Sequence, residues 1–484
     1  MSGTIRGVAN PDRLSGLDAS FLALEDGGAH MHVGSVLLFA GDPPAYDDVI
    51  AQIERRLALV PRYRQTLAFA PLIQSRPVWV DDPHFNPGYH VRHTALAPPG
   101  GEDELRRLAG RIFAQRLDRA KPLWELWLVD RVGEDRFAMI TKTHHCLVDG
   151  VSGVDIATVL FDLDADPPPQ PEPEPWYPRP RPSAAALLAD ALAERAQTPL
   201  ELASAAVGAV VRPRDAAMAG LTAAGGLAAI AHAGIAGAPP SPLNQRIGPH
   251  RRFAWVDADL AVFKAVKNAL GGTVNDVVLT AVAGALRRHY LAHGLQTEAV
   301  ELKAMVPVSV RADSERGALG NKVTTMYAPL PIGLEDPLAR YRAVHEAMRG
   351  LKESGQALGA EVITSLADFA PPTILAQATR LQAVQRFFNL TVTNVPGPQL
   401  TLYMLGRPLR RIYPLVPLAE NCALGIAIMS YDGRIDFGLV ADYDALPDLD
   451  ALASGLEAEI ATLTEAAGAP PEPRAKPRRR TVRA

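Results

Sequence analysis

Hydrophobic and polar residues alternate along this chain in two ways that predict strands and helices. An apolar run at 136–143 predicts a buried strand, and an apolar stripe with helical spacing follows it at 151–160. The second half repeats this alternation of strand and helix at 253–256, 258–269, 276–293 and 304–308. Because strands and helices interleave in both halves, the pattern predicts an α/β fold or α+β layers.

Proline and alanine mark the divisions of the chain. Residues 166–175 hold six prolines, which lack the N–H donor and fix φ, so this stretch predicts an extended linker. An Ala/Gly/Leu-rich helical pattern follows at 183–238. We therefore predict an N-terminal domain, a Pro-rich linker with a helical crossover, a C-terminal domain and a basic disordered tail, at residues 1–165, 166–250, 251–468 and 469–484.

Two histidines stand where the first predicted strand ends. His144 and His145 precede Asp149 and Gly150, and Gly150 allows the positive φ that a sharp turn often needs. Because side chains alternate along a strand, His145 shares a face with Thr143 while His144 faces the other way. Neutral histidine can take a proton from an alcohol near pH 7. This stretch therefore predicts one imidazole mounted as a general base, with Asp149 able to fold back toward the strand.

The motif from His144 to Gly150, H-H-x-x-x-D-G, is the signature of the CoA-dependent acyltransferase superfamily. Other short motifs narrow this resemblance to one family, and they occur at 14–22, 31–34, 60–65, 122–125, 242–244, 247–252, 273–279, 306–311, 319–321 and 393–398. In this order, from about residue 14 to residue 445, they resemble the bacterial wax ester synthase/diacylglycerol acyltransferase family.

The resemblance implies a fold and a reaction. It implies two chloramphenicol-acetyltransferase-like domains with mixed sheets flanked by helices, facing each other across an active-site tunnel. The reaction would be esterification of an acyl-CoA with diacylglycerol, a long-chain alcohol or both, to make triacylglycerol or wax esters. His145 would be the general base. A covalent acyl-enzyme is not expected, because a thioester is already activated and the sequence has no G-x-S-x-G elbow.

The resemblance also implies a supporting role for the neighbours of the base. Asp149 would form an ion pair with an arginine that fixes the histidine loop. Arg62 is the first candidate for that partner, with Arg64 and Arg311 behind it. His144 would pack or form a hydrogen bond behind the loop.

Several residues are candidates for the donors that stabilise the tetrahedral oxyanion. Asn275 lies at a predicted helix start, where it could be an N-cap or could line the site. The Asn275-Asp276 motif of the resembled family favours the site. Thr391 and Thr393 lie on a short predicted strand in the second half, where a facing donor is expected, although threonine is also a common strand former.

Composition limits the partners of the protein. At 484 residues and 48% hydrophobic content, the chain can bury two substantial cores, and its net charge of −4 provides no general attraction to nucleic acid. Cys146 and Cys422 fit a reducing compartment. The first twenty residues lack an apolar signal core, so export is not expected. No metal site is predicted, because no cluster completes the pair His30 and His32, and no cofactor is expected beyond acyl-CoA as substrate.

Two stretches suggest contact with lipid. Residues 216–240 carry no Asp, Glu, Lys or Arg, but their Ala and Gly content favours surface-lying helices over a membrane span. The last eleven residues, 474–484, hold six basic side chains that an anionic membrane would attract. We expect a cytoplasmic protein that associates peripherally with the inner membrane or with lipid droplets.

Two other functions stay open at this point. One is a carrier-protein-dependent condensing or acyl-transfer enzyme of the same superfamily. The other is a non-catalytic paralogue that binds lipid droplets, although the intact motif from His144 to Gly150 argues against it.

Overall fold

The computed structural model describes eight stretches of the chain. They are residues 12–25, 27–72, 75–147, 160–168, 175–194, 237–309, 323–353 and 387–468. The first half contains α1 (Gly16–Leu24), β1 (His32–Ala40), α2 (Tyr46–Leu57), a 3-10 turn (Pro61–Arg64), β2 (Gln65–Ala68), β3 (Val78–Asp81), α3 (Pro87–His90), β4 (Val91–Thr94), α4 (Glu102–Phe113), β5 (Trp124–Arg131), β6 (Arg136–His144) and α5 (184–194).

The second half alternates strands and helices in the same manner. It contains β7 (Arg251–Asp259), α6 (Leu260–Leu270), α7 (Val274–Ala292), β8 (Leu302–Ser309), β9 (Val323–Leu330), α8 (Pro337–Glu353), β10 (Leu390–Pro396), β11 (Tyr403–Met404), β12 (Arg407–Leu415), β13 (Leu424–Tyr431), β14 (Arg434–Asp442) and α9 (Leu449–Ala466).

The predicted elements are found where the structure describes them. The strands predicted at 136–143, 253–256 and 304–308 lie within β6, β7 and β8. The two helices predicted between those last strands correspond to α6 and α7. The helix predicted at 151–160 lies outside the described residues except at its last position, and so does the helical pattern from 195 to 236.

Two six-stranded sheets carry most of the strands. Their strand orders are β11-β12-β1-β6-β5-β4 and β7-β14-β13-β10-β8-β9, and β2 and β3 form a separate pair. Each sheet is mixed, since β4 runs parallel to β5 and β10 runs parallel to both β8 and β13, whereas the other pairs are antiparallel. The predicted mixed α/β fold is confirmed.

The first sheet is completed by strands from the other end of the chain. β12 pairs antiparallel with β1, from Gly34 opposite Leu415 to Phe39 opposite Leu409. Strands β11 and β12 lie inside the predicted C-terminal domain at 251–468, yet they belong to the sheet of the N-terminal half. The sequence did not predict this long-range pairing, because local periodicity carries no information about it, and the domain boundaries themselves stay a prediction.

Strand β12 also lies close to the second sheet. The buried carboxylate of Asp436 on β14 accepts the backbone N–H of Ile412 at 3.0 Å and contacts the guanidinium of Arg411 at 3.1 Å. A Cβ at Gly438 would overlap the carbonyl oxygen of Pro414, so only glycine fits there. β12 therefore joins the two sheets by backbone pairing on one side and by a carboxylate on the other.

Helix α4 provides a second contact between the halves. It crosses β7 so closely that a Cβ at Gly110 would lie 2.6 Å from the carbonyl oxygen of Arg251. Ile112 and Phe113 of α4 share one hydrophobic core with Phe253 and Trp255 of β7. The two halves are therefore packed through a common hydrophobic core.

The chain that returns from the crossover is attached by two asparagines. The Nδ2 of Asn389, a fully buried residue, donates to the carbonyl of Pro239 at 2.8 Å and to the Oδ1 of Asn244 at 2.6 Å. The Nδ2 of Asn244 donates in turn to the carbonyls of Phe388 and Asn421. The 242–244 motif thus anchors this segment to the start of β10.

Within the described ranges, no single helix is long and apolar enough to cross a membrane. Helices α6 and α7 pass that test only as a pair, and they meet at 100°. Residues 216–236 and the basic stretch 474–484, which suggested lipid contact, lie outside the described part of the chain.

The close crossing of α4 and β7 leads to a stability prediction. We expect Gly110→Ala to destabilise the protein by about 1–3 kcal/mol, because the new methyl group meets a backbone carbonyl that cannot rotate away. Gly350→Ala in α8 is the matched control, since nothing lies within 4 Å of its Cβ position and alanine favours a helix. Midpoints of urea unfolding would test this, and equal midpoints for both variants would contradict it.

Candidate active site

The two histidines lie at the end of β6, and the faces of this strand are divided as predicted. Ala138 and Ile140 pack in the core that the two halves share, whereas Phe137 and Met139 pack in a second core cluster on the other side. His144 is the last residue of β6 and is buried, while His145 begins a turn and is half-buried. Asp149 and Gly150 lie outside the described residues.

Backbone hydrogen bonds from two other motifs hold the histidine turn. The N–H of His145 donates to the carbonyl of Met31 at 2.7 Å, and the N–H of His144 donates to the carbonyl of Leu123 at 2.9 Å. The carbonyl of His144 accepts the N–H of Leu147 at 2.9 Å. Backbone hydrogen bonds to the motifs at 31–34 and 122–125 therefore fix the position of the histidine turn.

The imidazole of His145 is neutral at physiological pH. Its ring stacks on Phe21 with 4.0 Å between ring centroids, and its Nδ1 has no well-aligned hydrogen-bond partner among the described residues. Burial lowers the pKa of His145 to about 4, and the contact with its own backbone opposes this only in part. An uncharged ring with a free lone pair can accept a proton, as a general base must.

The imidazole of His144 is held in one tautomer. Its Nδ1 accepts the backbone N–H of Cys146 at 3.2 Å, so in the neutral ring the proton is assigned to Nε2. That nitrogen lies 3.7 Å from the carboxylate of Glu25. His144 thus faces the protein interior, in agreement with a packing role behind the turn.

Glu25 is a site residue that the sequence reasoning missed. Its carboxylate is 3% exposed, accepts both Nε and Nη2 of Arg119 at 3.0 and 2.6 Å, and lies 3.3 Å from Nε2 of His32. Burial raises the pKa of Glu25, but the contacts with His144, His32 and Arg119 outweigh it and hold the pKa well below its usual range. A fixed negative charge therefore lies directly behind the histidine turn.

The neighbouring strand contributes a second imidazole to this buried group. His32 on β1 lies opposite His144 on β6, with 5.8 Å between the ring centroids. Burial lowers the pKa of His32 to about 3, so this ring is neutral as well. The carboxylate of Glu25 and the imidazoles of His32 and His144 thus fill the space between β1, β6 and the end of α1.

A buried lysine ties the same face of β6 to α4. The Nζ of Lys142, two residues before His144, donates to the carbonyls of Ile112 and Gln115 at 3.0 and 2.5 Å. These carbonyls end α4, where a cation complements the helix dipole. Burial lowers the pKa of Lys142 to about 8. The strand that carries the histidines is thereby fixed to the helix that joins the two halves.

The arginine predicted to support the turn lies on the 3-10 segment Pro61–Arg64. Arg62 lies over the ring of Trp79, with 5.3 Å between the guanidinium carbon and the ring centroid, and Arg64 lies over Trp176. The ring of Tyr63 between them packs on Trp124, next to β6. Asp149 and Arg311 lie outside the described residues, so the ion pair of Asp149 with Arg62 stays a prediction.

The Asn275-Asp276 motif caps a helix. Thr273, not Asn275, is the N-cap of α7, and its Oγ1 accepts the N–H of Asp276 at 3.3 Å while the Asp276 carboxylate accepts the N–H of Thr273 at 2.8 Å. The same carboxylate lies 3.0 Å from Nδ1 of His345. The N-cap interpretation of Asn275 is therefore wrong, and its site-lining interpretation stays a prediction.

Thr391 and Thr393 lie on the face of β10 opposite to Leu390 and Val392. Leu390 and Val392 pack in the core cluster shared by the two halves, while Val395, on the same face as the two threonines, packs against the second core cluster. That second cluster also contains Leu147 of the histidine turn. The placement fits residues that line a cleft between the halves, and their role as oxyanion donors stays a prediction.

Comparison with known proteins decides the family. The wax ester synthase/diacylglycerol acyltransferase catalytic domain matches residues 14–278, and the corresponding C-terminal domain matches residues 319–464. The chain belongs to this family. The predicted resemblance is thereby confirmed.

The relatives cover nearly the whole chain. A probable diacylglycerol O-acyltransferase of Mycobacterium tuberculosis (strain CDC 1551 / Oshkosh) is 32% identical over 93% of this chain and 96% of its own length. The solved wax ester synthase/diacylglycerol acyltransferase of Marinobacter aquaeolei VT8 is 28% identical, with a TM-score of 0.64 over 94% of this chain and all of that one. The first condensation domain of the calcium-dependent antibiotic synthetase, 16% identical with a TM-score of 0.56 over 95% and 96% of the two chains, shares the fold.

The buried carboxylate of this family member leads to a testable expectation. Glu25→Gln keeps the shape but removes the charge that Arg119 and the two imidazoles contact, so we expect kcat to fall roughly tenfold, equivalent to ~1.4 kcal/mol. Because folding lowers the pKa of Glu25, its stabilising effect is fully present above the usual value near 4.5 and is lost as the pH falls below it.

Activity assays and unfolding curves from pH 4 to pH 8 would measure both effects. Glu102→Gln is the control, because its half-exposed carboxylate pairs with Arg136 at 2.8 Å outside the site. A loss of stability in Glu25→Gln that grows toward low pH would contradict the assigned charge.

Proposed function

We propose that this protein transfers the acyl group of an acyl-CoA to a hydroxyl group of diacylglycerol or of a long-chain alcohol. The products would be triacylglycerol or wax esters, with free CoA. The observation that carries the proposal is the neutral imidazole of His145, clamped by backbone hydrogen bonds at the end of β6 in a member of this acyltransferase family. A base with a low pKa stays deprotonated in the resting site and takes its proton only as the alcohol attacks.

The proposed step needs one base and no covalent intermediate. The alcohol oxygen attacks the thioester carbonyl while His145 takes the hydroxyl proton, and a tetrahedral intermediate forms. The carbon–sulfur bond then breaks, and the proton on His145 passes to the CoA sulfur. The ester and free CoA then leave the site, and every atom of the two substrates is found in these products. The proposed step uses no metal and no cofactor beyond acyl-CoA as substrate.

The remaining roles are assigned by resemblance and by placement. Asp149 and Gly150 would shape the loop, with Arg62 as the partner of Asp149. Asn275, Thr391 and Thr393 are candidates for the oxyanion donor, and loss of such a donor typically costs about 3 kcal/mol of transition-state stabilisation. Asp276 supports the position of Asn275 through its capping box.

The printed names of the relatives support both kinds of acceptor. The mycobacterial relative is described as a diacylglycerol O-acyltransferase, and the Marinobacter structure as a wax ester synthase as well. A condensation domain shares the fold, so the fold alone does not exclude a carrier-dependent enzyme. The match of two family domains over most of the chain favours acyl-CoA as the donor.

Both acceptors reside in lipid, which supports a peripheral association with a membrane or a lipid droplet. The basic stretch 474–484 would contribute electrostatic attraction of about 1 kcal/mol per basic residue near an anionic surface. Residues 216–240 would add apolar contact.

CoA release from palmitoyl-CoA tests the reaction and its base together. We expect release that depends on dioleoylglycerol or hexadecanol, and we expect His145→Ala to lower it by at least ~100-fold because the hydroxyl proton has no acceptor. His250→Ala, an exposed histidine on the other half, is the control. Equal release by His145→Ala would place the base elsewhere. No release with either acceptor from folded protein would favour the carrier-dependent or the lipid-droplet-binding function.

Flotation with vesicles tests the lipid contact. We expect a variant that lacks residues 474–484 to bind anionic vesicles less than the full chain does, and added salt to reduce the difference because it screens the basic side chains. Neutral vesicles serve as the control. Full flotation of the shortened chain would mean that the tail is not the anchor.

A further inference from the structure

Three side chains outside the histidine turn meet on the helical layer of the second sheet. His289 lies near the end of α7, His293 follows as its C-cap, and Asp448 is the N-cap residue of α9. One ligand atom from each lies within 4.8 Å of the other two. We propose that these three residues bind a divalent transition-metal ion of the zinc class. The proposal does not depend on acyl transfer.

The hydrogen bonding of His293 leaves a lone pair that faces a carboxylate. Its Nδ1 lies 2.8 Å from the carbonyl oxygen of His289, and since a carbonyl only accepts, Nδ1 carries the proton. In the neutral ring Nε2 is then bare, and it lies 3.2 Å from the Oδ2 of Asp448. Two lone pairs at this distance repel each other unless a cation lies between them. Metal-binding histidines commonly hold their second nitrogen in this way.

The second imidazole faces the same oxygen. Nδ1 of His289 lies 3.7 Å from the Oδ2 of Asp448, which is too long for a hydrogen bond. A proton shared by His293 and Asp448 would not bridge the 3.7 Å between His289 and that carboxylate, whereas one metal ion would contact all three groups.

The carboxylate of Asp448 is not used for capping. An aspartate at an N-cap usually accepts a backbone N–H of the first turn, but the side chain of Asp448 makes no such bond in α9. It is turned instead toward the two imidazoles on α7. In this orientation the carboxylate makes no capping hydrogen bond to α9. Coordination of a metal ion would compensate for the loss of that bond.

The distances suit a small tetrahedral ion. With metal–ligand distances near 2.1 Å, the ligand atoms of a tetrahedral zinc site lie about 3.4 Å apart. Two of the observed distances, 3.2 and 3.7 Å, lie near this value, and the third, between the two imidazole nitrogens, is within 4.8 Å. Two imidazoles and one carboxylate favour zinc over calcium or magnesium, and water would take the fourth position.

The ion would add to an ionic contact that already joins α7 to α9. The carboxylate of Glu459 on α9 bonds with the guanidinium groups of Arg288, next to His289 on α7, and of Arg340 on α8. The site at Asp448 would fix the first turn of α9 to the last turn of α7 in the same manner.

Cobalt binding tests the site directly. The full-length protein, without an affinity tag and after treatment with EDTA, is titrated with Co²⁺ and followed by visible absorption, and Zn²⁺ is then added. We expect one equivalent of tetrahedral Co²⁺ that Zn²⁺ displaces. His293→Gln and Asp448→Asn should each weaken Co²⁺ binding by at least roughly tenfold, because each removes a direct ligand.

A matched imidazole–carboxylate pair provides the control. His93 and Asp130 lie 2.6 Å apart on the first sheet, and no second histidine completes a metal-binding group with them in the described part of the chain, so His93→Gln should bind Co²⁺ like the unaltered protein. Zn²⁺ should raise the thermal midpoint of the unaltered protein and of His93→Gln, but not of the other two variants. Absence of the Co²⁺ signal, or unchanged binding in folded His293→Gln and Asp448→Asn, would overturn the proposal.

Discussion

The pairing of β12 with β1 is the constraint on which the rest of this structure depends. β1 would otherwise be an edge strand with a row of unpaired backbone groups, next to the strand that carries the histidines. A segment from more than 360 residues further along the chain covers that edge and reaches the second sheet through Asp436. This long-range strand pairing therefore sets the orientation of the two halves and the shape of any cleft between them.

The histidine turn shows how a reactive group is held by parts that do not react. Carbonyl oxygens of Met31 and Leu123 bind its backbone, Cys146 sets the tautomer of His144, and Lys142 ties β6 to α4. Behind them the charge of Glu25 is balanced by Arg119. Burial keeps the imidazole of His145 neutral, so the same packing that positions this ring also sets its protonation state.

Much of the fold could be predicted from local patterns, and some of the site could not. The strands β6, β7 and β8 and the helices α6 and α7 were predicted because their periodicities are local. The capping box of Thr273 and Asp276 also has a local signal, a threonine followed three residues later by an acid. His289 and His293 show the i, i+4 spacing of paired ligands, yet their third partner, Asp448, lies 155 residues after His293 and has no sequence signal of its own.

The sequence by itself determined the family, through the order of its motifs, and the division of the β6 side chains between two faces, because alternation is a property of the strand backbone. Tertiary structure alone decided that 403–415 completes the first sheet and that Glu25 lies behind the histidines. The physical reason is that burial and charge pairing depend on residues that are brought together only when the chain folds.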